Sequence, residues 1–116
     1  MTKLLKLAVW NANGLCQRAL ELQPFLQNYD IDVLLVSETH ITNGSHITIP
    51  DYDLYHTPHP DATAHGGTAV IIRRNIKHHS REEYRHEHIQ ATSITLEDNL
   101  GDITIAAAYS APPDTT

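Results

Sequence analysis

The chain has 116 residues, of which 41% are apolar, and 14 acidic against 8 basic residues give it a formal net charge of -6. That length suits one small domain or part of a larger one, and the composition argues against a disordered chain. The acidic balance offers no general electrostatic grip on nucleic acid, although a local basic patch can sit in an acidic chain.

The opening "MTKLLKLAVW" has the look of a signal peptide, but Lys6 interrupts its apolar run, no small-residue cleavage site follows and Asn11 ends it. Within it, "LLKLAVW" (4–10) is apolar and branched enough to predict a strand. From Leu15 the period changes: Leu15, Ala19, Leu22, Leu26 and Tyr29 recur at helical spacing on one face. Pro24 falls inside that pattern and should kink the helix or end its first part. The single cysteine, Cys16, excludes an intrachain disulfide and, in a predicted helix, is expected as a small buried residue. "DVLLVSE" (32–38) is a second buried run with Asp30 and Asp32 at its start. Strand, helix and strand make a βαβ unit with a right-handed crossover.

Residues 41–67 carry Asn-Gly, prolines and a closing Gly66-Gly67 pair, so most of this segment is expected as loop, with "DLYH" as a brief strand. "GTAVIIRR" (67–74), "IQATSITLE" (89–97) and "DITIAAAYS" (102–110) predict three more strands, the last two joined by "DNLG" as a hairpin. Ile103, Ile105, Ala107 and Tyr109 share one face by alternation. "APPDTT" reads as an extended, turn-forming segment. No run approaches the ~18 apolar residues of a membrane span, which leads us to expect an intracellular protein of the nucleus or cytoplasm. Five strands and one helix leave one face of the sheet without a cover, although "AVII" and "ITIAAAY" are too apolar for exposure.

Ligands of open α/β sheets bind beyond the carboxyl ends of the strands. Asn11 and Glu38 both occupy that edge, at the tips of the two strands of the βαβ unit. Neighbouring strands roughly 4.8 Å apart bring both side chains to one ion, and a carboxylate with an amide carbonyl and water suits Mg²⁺. Tyr109 joins them if its strand ends at the same edge. Taken alone, Asn11 also reads as a turn former, since Asn13-Gly14 would start a helix well, and Tyr109 as a packed aromatic. Glu38 is harder to explain structurally, because a carboxylate straight after a buried run is costly unless solvated or paired.

"WNANGL", "LLVSETHI", "HGGTAVIIR" and "AAAYSAPP", in this order and across nearly the whole chain, resemble the endonuclease/exonuclease/phosphatase superfamily. The likeness is greatest to the apurinic-type endonuclease domain of non-LTR, jockey-like retrotransposons. The resemblance implies a four-layer α/β/β/α sandwich about twice this length. The chain would then be its N-terminal part (1–116): one mixed β-sheet with a helix on its outer face, the second sheet missing. It implies metal-dependent phosphodiester hydrolysis with Mg²⁺, or alternatively Mn²⁺, in which an activated water attacks a phosphate of target DNA. Asn11 matches the first-motif asparagine that helps hold the phosphate and metal, Glu38 the metal-binding glutamate and Tyr109 the tyrosine that contacts the scissile phosphate. Asn13 sits where relatives carry Asp or Asn near the metal, and Gly66 and Gly67 match a structural glycine pair. His40 departs from the lysine of many repair-type relatives, which puts its phosphate contact in doubt.

The Asp-x-Asn and Ser-Asp-His motifs of the family's second half are not in these 116 residues. They supply the nucleophile-orienting group and the acid–base histidine, so the chain alone is expected to be inactive. The implied partners are target DNA and a reverse transcriptase domain C-terminal in the same polyprotein, with no membrane. The alternatives are a non-catalytic remnant of a truncated mobile element and a lipid or inositol phosphatase of the same superfamily. Arg73, Arg74, Lys77 and Arg81 form the one basic cluster, able to meet a DNA backbone or to remain a solvated strand end. Nine histidines include the spacings "HTPH" and "HEH", which could chelate zinc, with solvated loop histidines as the plainer reading.

Overall fold

The computed structural model describes residues 4–42, 47–61, 65–98 and 101–110. Eight strands and one α-helix follow in the order β1 (Leu7–Asn11), α1 (Ala19–Asn28), β2 (Val33–Ser37), β3 (Tyr52–Thr57), β4 (Thr68–Arg73), β5 (His78–Ser80), β6 (Tyr84–Arg85), β7 (Ile89–Leu96) and β8 (Ile103–Ser110). The Asn43-Gly44 turn and the "APPDTT" segment predicted from sequence lie outside the described residues.

The helical spacing is realised in two pieces, a 3-10 turn over Cys16–Arg18 running into α1. Leu15, Leu22 and Leu26 are buried as the periodicity predicts. Two expectations on this segment are corrected. Tyr29 is exposed because it caps the helix end, where its ring meets Phe25 at a tilt, centroids 5.2 Å apart. Cys16 is exposed because the 3-10 turn rotates it off the buried stripe. Pro24 lies inside α1 without ending it. It sits on the exposed side, where the backbone group it leaves unpaired can meet water. What ends the helix is a left-handed Asp30 (φ 53°), with Asp30 N–H donating to Gln27 O and Ile31 N–H to Leu26 O. This is the closing pattern usually built on glycine.

The first sheet has the order β1-β2-β4-β3, with β1 and β2 parallel and the other pairings antiparallel. It is the expected mixed sheet with a helix on its outer face. Leu34, Val36, Ala69 and Ile71 pack on that face with Leu15, Leu22 and Leu26. Val33, Val70 and Ile72 alternate to the other face and pack with Ile94, Leu96 and Ala107. The predicted "DLYH" strand is longer than expected and forms the sheet's β3 edge.

That inner face corrects one part of the sequence reading, which counted the second sheet as missing. The hairpin strands do not extend the first sheet. β7 and β8 pair along their whole length, Ile89 with Ser110 through Leu96 with Ile103, and form a second sheet facing it. β5 and β6 take the two ends of β7 on its other side. The physical reason is the doubly apolar character of β2 and β4, which the helix satisfies on one face only. Where the two sheets meet near the start of β4, the contact is polar. Thr92 Oγ1 lies 2.8 Å from Thr57 Oγ1 and 2.9 Å from Thr68 Oγ1, all three buried. Mutual hydrogen bonding makes such burial affordable.

β1 is the outer strand of the first sheet on the β2 side. Leu7 and Val9, which alternation places on the inner face, are 50% and 79% exposed. β8 is likewise the outer strand of the second sheet, and Ile103 is exposed at its start.

Candidate metal and phosphate site

β1 and β2 run parallel in register, Asn11 beside Ser37, so both end at one edge and Glu38 follows at once. Beyond the strands the backbone is laced across that edge. Ala12 N–H donates to Ser37 O (2.9 Å), Gly14 N–H to Glu38 O (2.9 Å) and Leu15 N–H to Thr39 O (2.8 Å). On the other side Thr39 N–H donates to Gly67 O (3.3 Å) and His40 N–H to Gly66 O (3.0 Å). Three short segments are thereby held side by side.

Holding them requires left-handed backbone at Asn13 (φ 47°), Glu38 (φ 53°) and His40 (φ 54°) as well as at the glycines. Asparagine tolerates this conformation, but for glutamate it costs roughly 1–2 kcal/mol. Strain of this kind persists where surroundings over-determine it, and it clusters at functional sites. Gly66 (φ 59°) and Gly67 (φ 87°) admit no side chain. A Cβ on Gly66 would lie 2.8 Å from Gln90 Oε1, and one on Gly67 would lie 2.6 Å from Thr39 Oγ1. The structural role assigned to this pair from sequence fits that crowding.

The second sheet contributes Tyr109. Its hydroxyl donates to Glu38 Oε1 at 3.2 Å, joining residues 71 apart in the chain. Burial, and then the hydrogen bond and negative charge of Glu38, push the phenol above its ordinary value of 10.0. It stays a neutral donor throughout the physiological range. Asn11 shares the inner face of its strand with Leu7 and Val9 by alternation, the face toward the second sheet. Asn11, Glu38 and Tyr109 therefore stand at one edge, between the two sheets. Asn13 lies exposed in the adjoining turn, and a Cβ on Gly14 would be 3.6 Å from the Nδ1 of half-buried His40.

A divalent cation fits this edge. The half-buried Glu38 carboxylate has one oxygen held by a neutral hydroxyl and no described cation beside it, and Asn11, at the tip of the neighbouring strand, carries an amide oxygen of the same hard type.

Arg73 and Arg74, read from sequence as possible phosphate contacts, lie at the opposite end of the sheet. β4 runs antiparallel to β2, so Ile72 pairs with Val33 while Thr68 pairs with Ser37. Both guanidiniums are engaged there. Arg73 Nε bonds Asp32 Oδ1 at 3.0 Å and its Nη2 reaches Asp30, while Arg74 Nε bonds Asp53 Oδ1 at 3.1 Å. Carboxylates already satisfy the charge a phosphate would need, which corrects that assignment.

Gln90 is a site residue that the sequence did not reveal. It is fully buried beside Tyr109 in the strand register, accepts from Gly67 N–H at 3.0 Å and donates to His86 O at 2.7 Å. A lone glutamine in a strand carries no sequence signal, and only its burial marks it.

Strands and a helix in this arrangement define a two-sheet α/β sandwich with a carboxylate at the shared strand edge. Over residues 8–115 the sequence matches the Endonuclease/Exonuclease/phosphatase family, and the chain belongs to that family. It is 38% identical over 110 residues to the RNA-directed DNA polymerase from mobile element jockey of Drosophila melanogaster, and 33% identical to the probable RNA-directed DNA polymerase from transposon BS of the same fly. These matches take in 95% and 93% of this chain but only 12% of each relative. In structure it is similar to the AP endonuclease LMAP from Leishmania major (TM-score 0.72, 19% identity, 92% of this chain and 40% of that one). It is also similar to the Xenopus laevis APE2 catalytic domain (TM-score 0.67, 15% identity, 97% and 46%). The fold is thus that of the AP endonucleases, in part. Among the described residues no helix is long and apolar enough to cross a membrane.

Proposed function

We propose that the chain is the N-terminal part of a divalent-metal-dependent DNA endonuclease domain that nicks target DNA for a mobile element, with Mg²⁺ as the ion and Mn²⁺ as its substitute. The observation that carries this reading is the strained Glu38, whose carboxylate meets Tyr109 from the facing sheet at the carboxyl edge of the strands. Glu38 and Asn11 hold the ion, and Tyr109 is a neutral donor placed for a phosphate oxygen. Asn13 and His40 flank the edge where the rest of a phosphodiester would lie. A bound cation there neutralises phosphoryl charge and stabilises the leaving oxygen. The chain needs such help, since its net charge is -6 and Arg73 and Arg74 are spent on carboxylates.

Target DNA is the proposed partner, and similarity to RNA-directed DNA polymerases supports a reverse transcriptase domain further along the same polyprotein. A nuclear or cytoplasmic location agrees with that role. The groups that activate water and protonate the leaving oxygen belong to the motifs these 116 residues lack, so the chain by itself is inactive in this reading. Relaxation of supercoiled plasmid tests both statements. A protein carrying the whole domain should nick with Mg²⁺ and lose this on Glu38→Ala, while the 116-residue chain should not nick. Full activity in the Glu38→Ala protein would remove the metal assignment, and nicking by the short chain would remove the half-site reading.

A further inference from the structure

Among the described residues, one group of three metal-ligating side chains has its ligand atoms within 4.8 Å of one another: His59, Asp61 and His65. We propose that these residues bind a borderline transition-metal ion of the Zn²⁺ type, distinct from the cation at Glu38, and that this ion joins His59 and Asp61, after β3, to His65, before β4. Neither histidine spacing noticed in the sequence supplies the set. The group takes one member of the first, His59, and adds Asp61 and His65.

The hydrogen bonds of the His59 ring make the case. Its Nε2 lies 3.0 Å from the Glu87 carbonyl oxygen, which can only accept, so Nε2 carries the proton and donates. In a neutral ring Nδ1 then presents a lone pair. That atom lies 3.2 Å from Asp61 N–H, which can only donate, and 3.0 Å from Asp61 Oδ1, which as a carboxylate can only accept. The two neighbours make opposite demands on one nitrogen. Satisfying the N–H leaves the carboxylate unanswered, whereas a cation between Nδ1 and Oδ1 takes the ring's one lone pair and the carboxylate together and releases the N–H. A proton on Nδ1 would serve the carboxylate at the same expense, and what favours a metal over a proton is the third ligand, His65.

His65 extends the group on the other side of the carboxylate, its Nε2 3.3 Å from Asp61 Oδ2. The two imidazole centroids are 4.0 Å apart, a separation at which two cationic rings repel, whereas two neutral rings can share one ion. A metal-bound histidine commonly donates its other ring N–H to a backbone carbonyl, as His59 does, which fixes tautomer and orientation in advance. His59 is buried, so its ring is fixed by the fold. Two imidazoles and one carboxylate leave a fourth position to water and suit Zn²⁺ or Co²⁺, whereas Mg²⁺ calls for an octahedron of oxygens.

The location gives the ion its consequence. A Cβ on Gly66 would lie 3.4 Å from His59 Cδ2 and 3.6 Å from Tyr109 Cε1, so the two rings flank Gly66. The ion holds His65 next to the Gly66–Gly67 pair, whose carbonyls accept from Thr39 and His40. It positions the edge without touching the phosphate.

The test is titration of the metal-stripped chain with Co²⁺, followed by its visible absorption, and then displacement by Zn²⁺. One equivalent should give the intense band of a tetrahedral site, and Zn²⁺ should raise Tm. His65→Gln, at a half-exposed position whose loss does not threaten the fold, should weaken binding at least tenfold, by about the loss seen for supporting groups around metals. His59→Gln and Asp61→Asn should do the same, whereas Glu38→Gln should leave the band unchanged. Absence of a band would overturn the proposal. So would a band that persists in His65→Gln and Asp61→Asn, which would place the ion on other histidines, or one that vanishes in Glu38→Gln.

Discussion

The two ends of the first sheet carry charge in opposite ways. At the end where β2 begins, Asp30, Asp32 and Asp53 face Arg73 and Arg74, and each guanidinium has a carboxylate within bonding distance. At the other end Glu38 meets a phenol, a neutral donor that satisfies one lone pair and cancels no charge. The first end is complete as it stands and serves to fasten strands together. Among the described residues the second is short of one positive charge, and its left-handed backbone falls on a glutamate, whereas the left-handed Asp30 of the first end closes a helix. Equal polarity at two sheet edges thus has two meanings, and the presence or absence of a countercharge separates them.

That contrast can be broken at either end. The largest effect belongs to Glu38→Ala in a protein with the whole domain, where loss of nicking by at least about a hundredfold is expected, of the size seen when one electrostatic group leaves a site. Its thermal stability should change little, since alanine keeps the Cβ that makes the left-handed backbone costly and only the bond from Tyr109 is lost, as differential scanning calorimetry would show. Arg73→Ala inverts the pattern. The Asp32 side chain is only 4% exposed and loses its cation, so denaturant unfolding should report a loss of about 3 kcal/mol. The exposed pair with Asp30 adds little to this, and Mg²⁺ affinity should not change.

Tyr109→Phe is a smaller step. It removes one hydrogen bond worth about 1 kcal/mol, and nicking should fall about tenfold while the fold survives. The smallest effect is a pH slope from a third place, His56. Burial lowers its pKa below the ordinary 6.5, and its Nδ1 has no partner among the described residues. The unfolded chain therefore binds the proton more readily, so stability is full above about pH 6.5 and is lost as pH falls toward the lowered value. Urea midpoints measured across that window should slope less in His56→Gln, and an identical slope would assign the effect elsewhere.

Much of this was legible in the sequence where apolar periodicity speaks. The runs that form β1, β2, β4, β7 and β8 each announce themselves, and the carboxyl-edge rule marks Asn11 and Glu38 from sequence alone. β5 and β6 carry no such signal. "HHS" and "YR" are short and polar, and they are strands because the free side of β7 pairs with them. Alternation also says which residues of 102–110 share a face without saying which sheet they face, and so the second sheet went uncounted. Tyr109 was found by likeness to a family. Its bond to Glu38, across 71 residues, is set by packing between sheets, which no local pattern encodes.

The exposed Leu7 and Val9 on β1 have a consequence for handling. Among the described residues only β2 pairs with β1, so its other side presents a row of backbone donors and acceptors in fixed register beneath apolar side chains. An uncovered strand of this kind templates pairing with any similar strand it meets. Preparations of the 116-residue chain will show light scattering that climbs with concentration, and a charged residue at Val9 will be the economical route to a sample dilute enough in aggregates for spectroscopy.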